Sequence, residues 1–455
     1  MKNIFFKVWY FIRSSPCLSN CGNQCGFIEA NKPNSIVKIT KSVILIAFSI
    51  LISNCNKVET FPDVESPLLI NKNVFSTVLT KSESIALRIA QNGTYKISPE
   101  KAISMVREEL KDENICFKSC LLRKTNKDKI GYYEITFSGS KGDGYSIVSA
   151  DERIPEVICF VEKGSLSDTI NIEPLKYYMR AIPLYIEESI KDYKNLDSLR
   201  ASAISKLQSN IPATKNIPPF DPNVWSLYGT YIDSTCVKIE HNTPSWSQTG
   251  PLGNNINYSW GICGVVAVAE VMAYHKVTYI NTLTYDYNLW LDMLNGDEDS
   301  LACLGADIFH DIYWLFNLVA PLPSTICSFF NNNGYSASSQ SGYNYYDLMD
   351  YIVDDGPAIL LGFEGPIIPE VWSITEGHYW VADGIDYKLF SPYDVYYLIY
   401  NGNILYHYVY YNNYSFNKVY FNWGWGVSSN GWFTSGVFEL GLGHYEYSMS
   451  LIDIA

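Results

Sequence analysis

Residues 246–276, WSQTGPLGNNINYSWGICGVVAVAEVMAYHK, change character at Cys263. A polar, glycine-rich loop precedes this cysteine, and an uninterrupted run of small and apolar residues follows it. The run predicts a buried helix with Cys263 in its first turn. The partial positive charge at a helix N-terminus stabilises a thiolate and lowers the pKa of a cysteine. The segment therefore predicts an activated, nucleophilic Cys263. Gln248 in the preceding loop is the candidate oxyanion donor, together with the backbone N–H of Cys263.

Composition describes a packed globular protein. The chain has 455 residues, of which 47% are hydrophobic and 18% charged, and its length suggests two or three domains. The net charge of −14 argues against nucleic acid or an anionic membrane surface as the main partner. Tyrosines and tryptophans crowd the C-terminal half, which fits a strand-rich domain with an aromatic-lined cleft and fits plain β-structure equally well.

Two groups of cysteines bear on metals and disulfides. Cys17, Cys21 and Cys25 are evenly spaced, but no histidine or further cysteine accompanies them, so we predict no metal site and no cofactor. In an exported protein Cys303 and Cys327 could form a disulfide, although sequence alone does not establish the pairing.

The N-terminal segment carries export signals. In residues 38–55, KITKSVILIAFSILISNC, lysines precede an apolar run too short to span a bilayer and typical of a signal-peptide core. The run ends in a sequence that resembles a bacterial lipoprotein box, with Cys55 as the lipidated residue, although Asn54 departs from the usual small residue. A signal belongs at the extreme N-terminus, so we expect translation to start near Val37. The sequence thus predicts an exported bacterial protein that is an outer-membrane lipoprotein, on the cell surface or secreted.

The chain after this leader divides by composition. Residues 1–55 form the leader and signal peptide, and residues 56–80 a tether of mixed character. Residues 81–200 predict a compact α/β region, with a helix after the Ser98–Pro99 cap, alternating strands in 132–139 and 144–166, and an amphipathic helix in 175–193. This region is either a small folding domain or, ahead of a nucleophile domain, a pro-domain. Residues 201–225 become polar and then proline-rich, which predicts a linker open to proteolysis.

The six histidines allow the general base to be sought by elimination. His275 follows Cys263 by twelve positions on the same predicted helix, about 18 Å away, so it cannot be the base for that cysteine. His378, in EGHYWVADGID, opens a predicted strand and is well placed to face a helix N-terminus. There it would take the proton of the Cys263 thiol and form a thiolate–imidazolium couple. The alternative is a core histidine. The remaining four are unremarkable: His241, His310, His407 and His444.

The segment NWGWG, residues 422–426, is the third candidate unit. The Asn422 amide can orient an imidazole, and the Trp423 indole can shield that hydrogen bond from water. The alternative is an ordinary aromatic strand followed by a glycine turn.

Taken in order, W-S-Q, G-I-C with A-Y-H, G-H-Y-W-V-A-D-G and N-W-G-W-G resemble streptopain-type cysteine peptidases of the papain clan. Residues 144–166 are similar to the pro-domain of that family, and the resemblance covers about residues 80–455. It implies an α+β, papain-like two-lobed peptidase domain over residues 226–455, with a helical lobe and an antiparallel β lobe. A small inhibitory α/β pro-domain over residues 81–200 would precede it.

The resemblance also implies roles for individual residues. Cys263 would be the nucleophile, His378 the general base and Gln248 part of the oxyanion hole, while Asn422 and Trp423 would support the histidine. Asp383 matches a family position that we interpret as structural.

Three features depart from the family pattern. Gly264 follows the nucleophile, and Val427 replaces a glycine of the usual W-G-G. The tyrosine-rich segment 391–417 is longer than expected. It predicts an extra hairpin around Asn401 and Gly402 that borders the cleft.

Three functions remain open from sequence. The first is a cysteine endopeptidase made as a lipid-anchored zymogen, which acts on proteins or peptides and is inhibited by its own pro-domain. The second is a catalytically silent surface protein that keeps the papain-like fold and uses it to bind a partner. The third is an amidase or acyltransferase with the same Cys–His chemistry.

Overall fold

A computed structural model describes most of the chain beyond the tether. The described residues lie within one compact unit, Glu65–Ala455, and comprise 74–112, 114–124, 131–193, 195–211, 217–221, 224–248, 262–276, 279–280, 283–284, 322–363, 377–439 and 450–454. The predicted leader with Cys55, residues 56–73 of the tether, Cys303, His310 and His444 lie outside them.

The N-terminal half contains five strands and four helices in its described part: β1 (Val74–Leu79), α1 (Lys81–Asn92), α2 (Pro99–Leu110), β2 (Cys116–Lys124), β3 (Gly131–Gly139), β4 (Gly142–Ser149), β5 (Val157–Val161), α3 (Glu173–Ser189) and α4 (Leu196–Ser209). The predicted start of α2 is confirmed, since the Ser98 side chain accepts a hydrogen bond from Lys101 N and Pro99 occupies the first turn. Strand β1 lies within the predicted tether, and α4 runs into the predicted linker.

The described part of the C-terminal half contains ten strands and four helices: β6 (Ser226–Glu240), α5 (Ile262–His275), β7 (Tyr279–Ile280), β8 (Leu283–Thr284), α6 (Pro323–Asn332), β9 (Ala337–Ser341), α7 (Tyr345–Asp354), β10 (Ala358–Phe363), β11 (Gly377–Tyr400), β12 (Asn403–Tyr411), β13 (Tyr414–Asn422), β14 (Gly431–Thr434), α8 (Gly436–Glu439) and β15 (Ser450–Ile454). Among the described residues, no helix is both long and apolar enough to span a membrane.

Thirteen of these strands form one sheet, and ten of them follow one another in the order β2-β3-β4-β5-β14-β13-β11-β10-β15-β9. The other three, β1, β6 and β12, join the sheet through β11. Strand β11 is long enough to bind further strands: β6 pairs with it antiparallel from Gly384 to Tyr397, and β12 pairs with its last residues. Strand β1 adds to β12 in the parallel sense, the one parallel pair in this sheet as described. Strand β11 is therefore the central strand of the sheet, paired with β6, β10, β12 and β13.

The papain-like two-lobed prediction is wrong. The described helices do not form a separate lobe, and one mainly antiparallel sheet runs through both predicted domains. The join is the pairing of β5 with β14, in which Cys159 lies opposite Phe433 and Phe160 opposite Trp432. Helix α5 packs on β10 and β11 of this sheet. The fold is mixed α/β and dominated by strands, because the aromatic and β-branched segments of both regions pair with one another.

The predicted hairpin around Asn401 and Gly402 is confirmed. Strands β11 and β12 pair up to Tyr400 and Asn403, which leaves a two-residue turn. Asn401 and Gly402 have φ values of 49° and 75°, as a turn that matches the right-handed twist of the strands requires.

Candidate active site

Cys263 is the second residue of helix α5, as predicted, and its side chain is partly buried. The residues that follow it pack into a core with β10 and β11, where Val265, Val266 and Val268 are buried. Cys263 packs against this core, which includes Tyr379 on β11, and burial and then the negative charge of a Cys263 thiolate raise the pKa of Tyr379. The structure thus brings the first turn of α5 next to the start of β11.

His378 is the second residue of β11, and its side chain is only 6% exposed. Its Nε2 lies 3.2 Å from the Trp423 carbonyl oxygen, and the Trp425 ring covers it at a centroid distance of 4.6 Å. A carbonyl oxygen can only accept a hydrogen bond, so this contact assigns the proton to Nε2 and the lone pair to Nδ1. Nδ1 is therefore the atom that can take a proton from a thiol.

Burial controls the protonation of His378. Desolvation lowers the pKa of His378 to about 4, although the hydrogen bond to the Trp423 carbonyl opposes this shift. The imidazole is consequently neutral at pH 7. A neutral imidazole can act as a general base, whereas the expected thiolate–imidazolium couple needs the charged form.

The glycine turn after β13 links the histidine to α5 and to the Gln248 loop. Gly424 accepts a hydrogen bond from Gln248 N at 2.9 Å, and a Cβ added at Gly424 would lie 3.6 Å from Val266 Cγ1. Val266 lies three residues after Cys263, so the two side chains share one face of α5. The turn that holds His378 through Trp423 therefore contacts both the nucleophile helix and the predicted oxyanion loop.

The loop before Gln248 is held from two sides. Trp246 N donates to Oε1 of Glu270 on α5 at 3.0 Å, and the Trp246 carbonyl accepts a hydrogen bond from Gly426 N at 2.9 Å. Ser247 forms an isolated β-bridge with Trp425. These contacts fix the backbone that leads into Gln248.

Asn422 and Trp423 do not support His378 in the predicted way, in which the Asn422 amide would orient the imidazole and the Trp423 indole would shield that hydrogen bond. The Asn422 amide donates to the Pro244 carbonyl at 2.9 Å, and its oxygen accepts from Gly424 N at 3.2 Å. The Trp423 main-chain carbonyl, not its neighbour's amide, contacts the imidazole. The Trp423 indole is fully buried against Phe421 and Phe433. Asn422 thus shapes the loop around the site, while Trp423 orients the histidine.

Two buried carboxyl groups support the same loop, and neither had been given a role in the site. Glu270 is fully buried on α5, and burial raises its pKa well above the usual range. Asp383 on β11 accepts from Thr243 N through both carboxyl oxygens at 3.1 Å, and burial raises its pKa to about 7. The sequence signal for Glu270 was a single acid inside the apolar run GVVAVAEVMAYH.

The other described histidines have different environments. His241 Nε2 lies 2.8 Å from the Ile352 carbonyl, and its Nδ1 lies near the Tyr274 hydroxyl. His275 ends α5, where burial lowers its pKa. His407 is buried among the rings of Phe75, Phe220 and Trp225. Within the described residues, His378 is the histidine that contacts the 422–426 turn.

Comparisons with protein-family models, with curated proteins and with solved structures give no match to this chain. In the described part of the chain, no group of three or more potential metal-binding side chains is close enough to hold an ion. The candidate site therefore rests on its own geometry.

Proposed function

We propose that the protein is a cysteine-type endopeptidase made as a precursor, with Cys263 as nucleophile and His378 as general base. The observation that carries the proposal is the hydrogen bond from His378 Nε2 to the Trp423 carbonyl. It leaves Nδ1 of His378 as the proton acceptor. The Trp423 carbonyl belongs to a turn in which a Cβ added at Gly424 would lie 3.6 Å from Val266, one helical turn beyond Cys263. The ordered motifs shared with streptopain-type peptidases support the same assignment.

The proposed reaction uses these side chains in sequence. The Cys263 thiol gives its proton to Nδ1 of His378 as sulfur attacks the peptide carbonyl carbon. The negative charge that develops on the carbonyl oxygen is stabilised by the Gln248 side-chain amide and the Cys263 backbone N–H. His378 then protonates the leaving amine, and water hydrolyses the thioester to restore the thiol.

Contacts from residues 81–200 support the proposal that this region restrains the site. Ser429 N donates to the Lys163 carbonyl at 2.9 Å, and the Ser428 hydroxyl donates to Asp168 at 2.8 Å. The next residue, Asn430, accepts a hydrogen bond from Trp423 N at 3.0 Å. The proposed pro-domain thus holds the loop that adjoins the histidine support. Its release would free that loop.

The test is self-processing of the purified precursor beside a Cys263→Ala variant, followed by mass spectrometry. We expect the native chain to lose its tether, pro-domain and linker, while the variant remains whole. If neither changes, even after the linker is nicked by an added protease and a broad peptide library is supplied, the enzymatic proposal fails. Cleavage of non-peptide amides but not of peptides would instead support an amidase.

A further inference from the structure

The β11–β12 hairpin has an unusual charge distribution. Residues 391–417 contain no lysine, arginine or glutamate, and their single aspartate, Asp394, is buried and accepts a hydrogen bond from the Tyr411 hydroxyl. The exposed surface of this segment is therefore uncharged, on a chain whose net charge is −14. The proposed chemistry at Cys263 uses none of it.

The hairpin has one covered face and one open face. On the covered face, Leu405, His407 and Val409 pack into a core with Phe220 and Trp225. On the open face, tyrosines lie opposite one another across the strands: Tyr397 with Tyr406, and Tyr393 with Tyr410. The Tyr393 and Tyr410 rings lie 5.5 Å apart. The open face is thus a platform of aromatic rings and hydroxyl groups.

The tip of the hairpin is aliphatic. Ile399 and Ile404 form the last cross-strand pair of the open face, and they are 67% and 50% exposed. The tyrosine pair Tyr397 and Tyr406 lies two residues behind them, about 7 Å along the strands. An apolar tip followed by a layer of tyrosines matches the order of hydrocarbon and headgroup regions at a bilayer surface, where tyrosine is enriched.

Strand β1 extends the open face and connects it to the N-terminal tether. Val74 and Val78 lie beside Tyr406 and Tyr410, and Val78 is 61% exposed. Strand β1 lies within the predicted tether that follows Cys55. The tether therefore enters the fold at the edge of this face.

We propose that the open face of the β11–β12 hairpin docks on a lipid surface, with Ile399 and Ile404 inserted. Because the face is uncharged, insertion is driven by the hydrophobic effect and does not require anionic lipid. The nearest acid on β6, Asp233, lies opposite Ser391, at the end of the face away from the tip.

The size of the face argues against a second copy of the chain as its occupant. Four strands and about eight residues give an area of about 15 Å by 25 Å, or ~400 Å². A stable protein dimer buries about 800 Å² on each partner. A neutral glycan would use the tyrosine rings but gains little from two protruding isoleucines, whereas a bilayer gains from both.

The test is flotation of the chain that begins after Cys55, residues 56–455, with phosphatidylcholine vesicles in a density gradient. This protein keeps the whole compact unit Glu65–Ala455 but lacks both the predicted apolar signal-peptide core and the expected lipid attachment, so that binding depends on the folded protein alone. We expect this protein to float with the vesicles, and we expect adding Ile399→Asn and Ile404→Asn to lower its partition coefficient by about tenfold or more. The matched control carries Leu121→Asn and Leu122→Asn, two equally exposed leucines on β2, and should float like the parent.

Three flotation results, and one result without vesicles, would overturn the proposal. The first is a folded chain of residues 56–455, verified by circular dichroism, that does not float at any lipid concentration. The second is equal flotation of the tip variant and the control variant. The third is flotation only with anionic phosphatidylglycerol. Analytical ultracentrifugation without vesicles tests whether the face instead binds a second copy of the chain. A shift from dimer to monomer in the tip variant would assign the face to that role.

Discussion

At the scale of single residues, the site depends on a main-chain group that holds the imidazole. The Trp423 carbonyl accepts the Nε2 proton of His378, and the Trp425 ring packs against the imidazole. A main-chain acceptor of this kind survives any side-chain substitution at Trp423 that leaves the turn intact. The orientation of His378 is therefore more sensitive to the turn at Gly424 than to the identity of residue 423.

The protonation of His378 gives the first prediction. Because burial lowers the pKa of His378 to about 4, its resonance should titrate near pH 4 in ¹³C-histidine NMR of the precursor, and not near 6.5. His378→Asn identifies this resonance and distinguishes it from that of His407, whose pKa is also lowered to about 4 by burial. Titration above pH 8 would instead mean that His378 is already paired with a thiolate.

Glu270 gives the second prediction, which concerns the support of Gln248. Its carboxyl oxygen accepts the Trp246 N–H, so Glu270→Leu leaves a buried donor without a partner, a loss of about 1–3 kcal/mol. We expect Glu270→Leu to slow self-processing of the precursor by at least about tenfold, since the oxyanion loop loses its anchor. Glu270→Gln keeps an acceptor and should process nearly as fast as the native chain.

The control for this experiment is Met272→Leu, a volume-conserving change at a buried position on the same helix. If Glu270→Leu folds and processes at the native rate, Glu270 has no role in positioning the loop. A loss in Glu270→Gln as large as that in Glu270→Leu would mean that the charge itself is required.

At the scale of elements, the join between β5 and β14 connects the proposed pro-domain to the site. Gly431 begins β14, and a Cβ added there would lie 2.5 Å from the Phe160 carbonyl oxygen. Backbone atoms of a paired strand cannot move aside as a flexible side chain can. The glycine is therefore required for the close approach of these two strands.

This contact gives the third prediction. Gly431→Ala should force β5 away from β14 and lower the free energy of unfolding of the precursor by about 1–3 kcal/mol in urea titration. Gly229→Ala on β6 is the matched control, because the nearest atoms to its added Cβ belong to the exposed Tyr231 ring. Equal stability of the two variants would show that the join tolerates a side chain and that β5 is not tightly docked.

At the scale of the whole molecule, sequence patterns predicted local elements but not their pairing. The apolar run after Cys263 and the alternation after His378 reveal a helix and a strand, because both depend on near neighbours in the chain. Cys159 pairs with Phe433 across more than half of the chain, and no local periodicity encodes that partner. The two-lobed prediction failed because it assigned the two strand-rich regions to separate domains.

The candidate site also has features that the sequence predicts and features that it does not. Sequence proposed Cys263, His378 and Gln248 by side-chain chemistry and order. In the structure His378 and Gln248 both contact the 422–426 turn, and this turn lies near Val266, one helical turn beyond Cys263. The sequence could not reveal that a main-chain carbonyl would hold the imidazole, since every residue has one. Glu270 left a readable signal, a single charge inside an apolar helix, because a fully buried acid needs a specific partner.

The last prediction concerns how the stability of the whole molecule depends on pH through the buried His407. His407 is buried and its pKa is lowered to about 4, whereas an unfolded histidine titrates near 6.5. Between these values the unfolded chain binds more protons, so the contribution of His407 to stability is lost as the pH falls. In His407→Gln this loss is absent, and the amide can still donate to Thr77, the present partner of Nε2.

We therefore expect the stability of the native chain, relative to His407→Gln, to fall by about 2 kcal/mol between pH 7 and pH 5. Urea unfolding of both proteins at the two pH values measures this change, and the shared contributions of Asp383 and the other buried groups cancel in the comparison. The unfolding free energy that the substitution itself costs at pH 7 does not affect this test. Only the change of the stability difference with pH reports proton binding by His407. A difference that stays constant with pH would mean that the aromatic cluster around His407 opens to water before the protein unfolds.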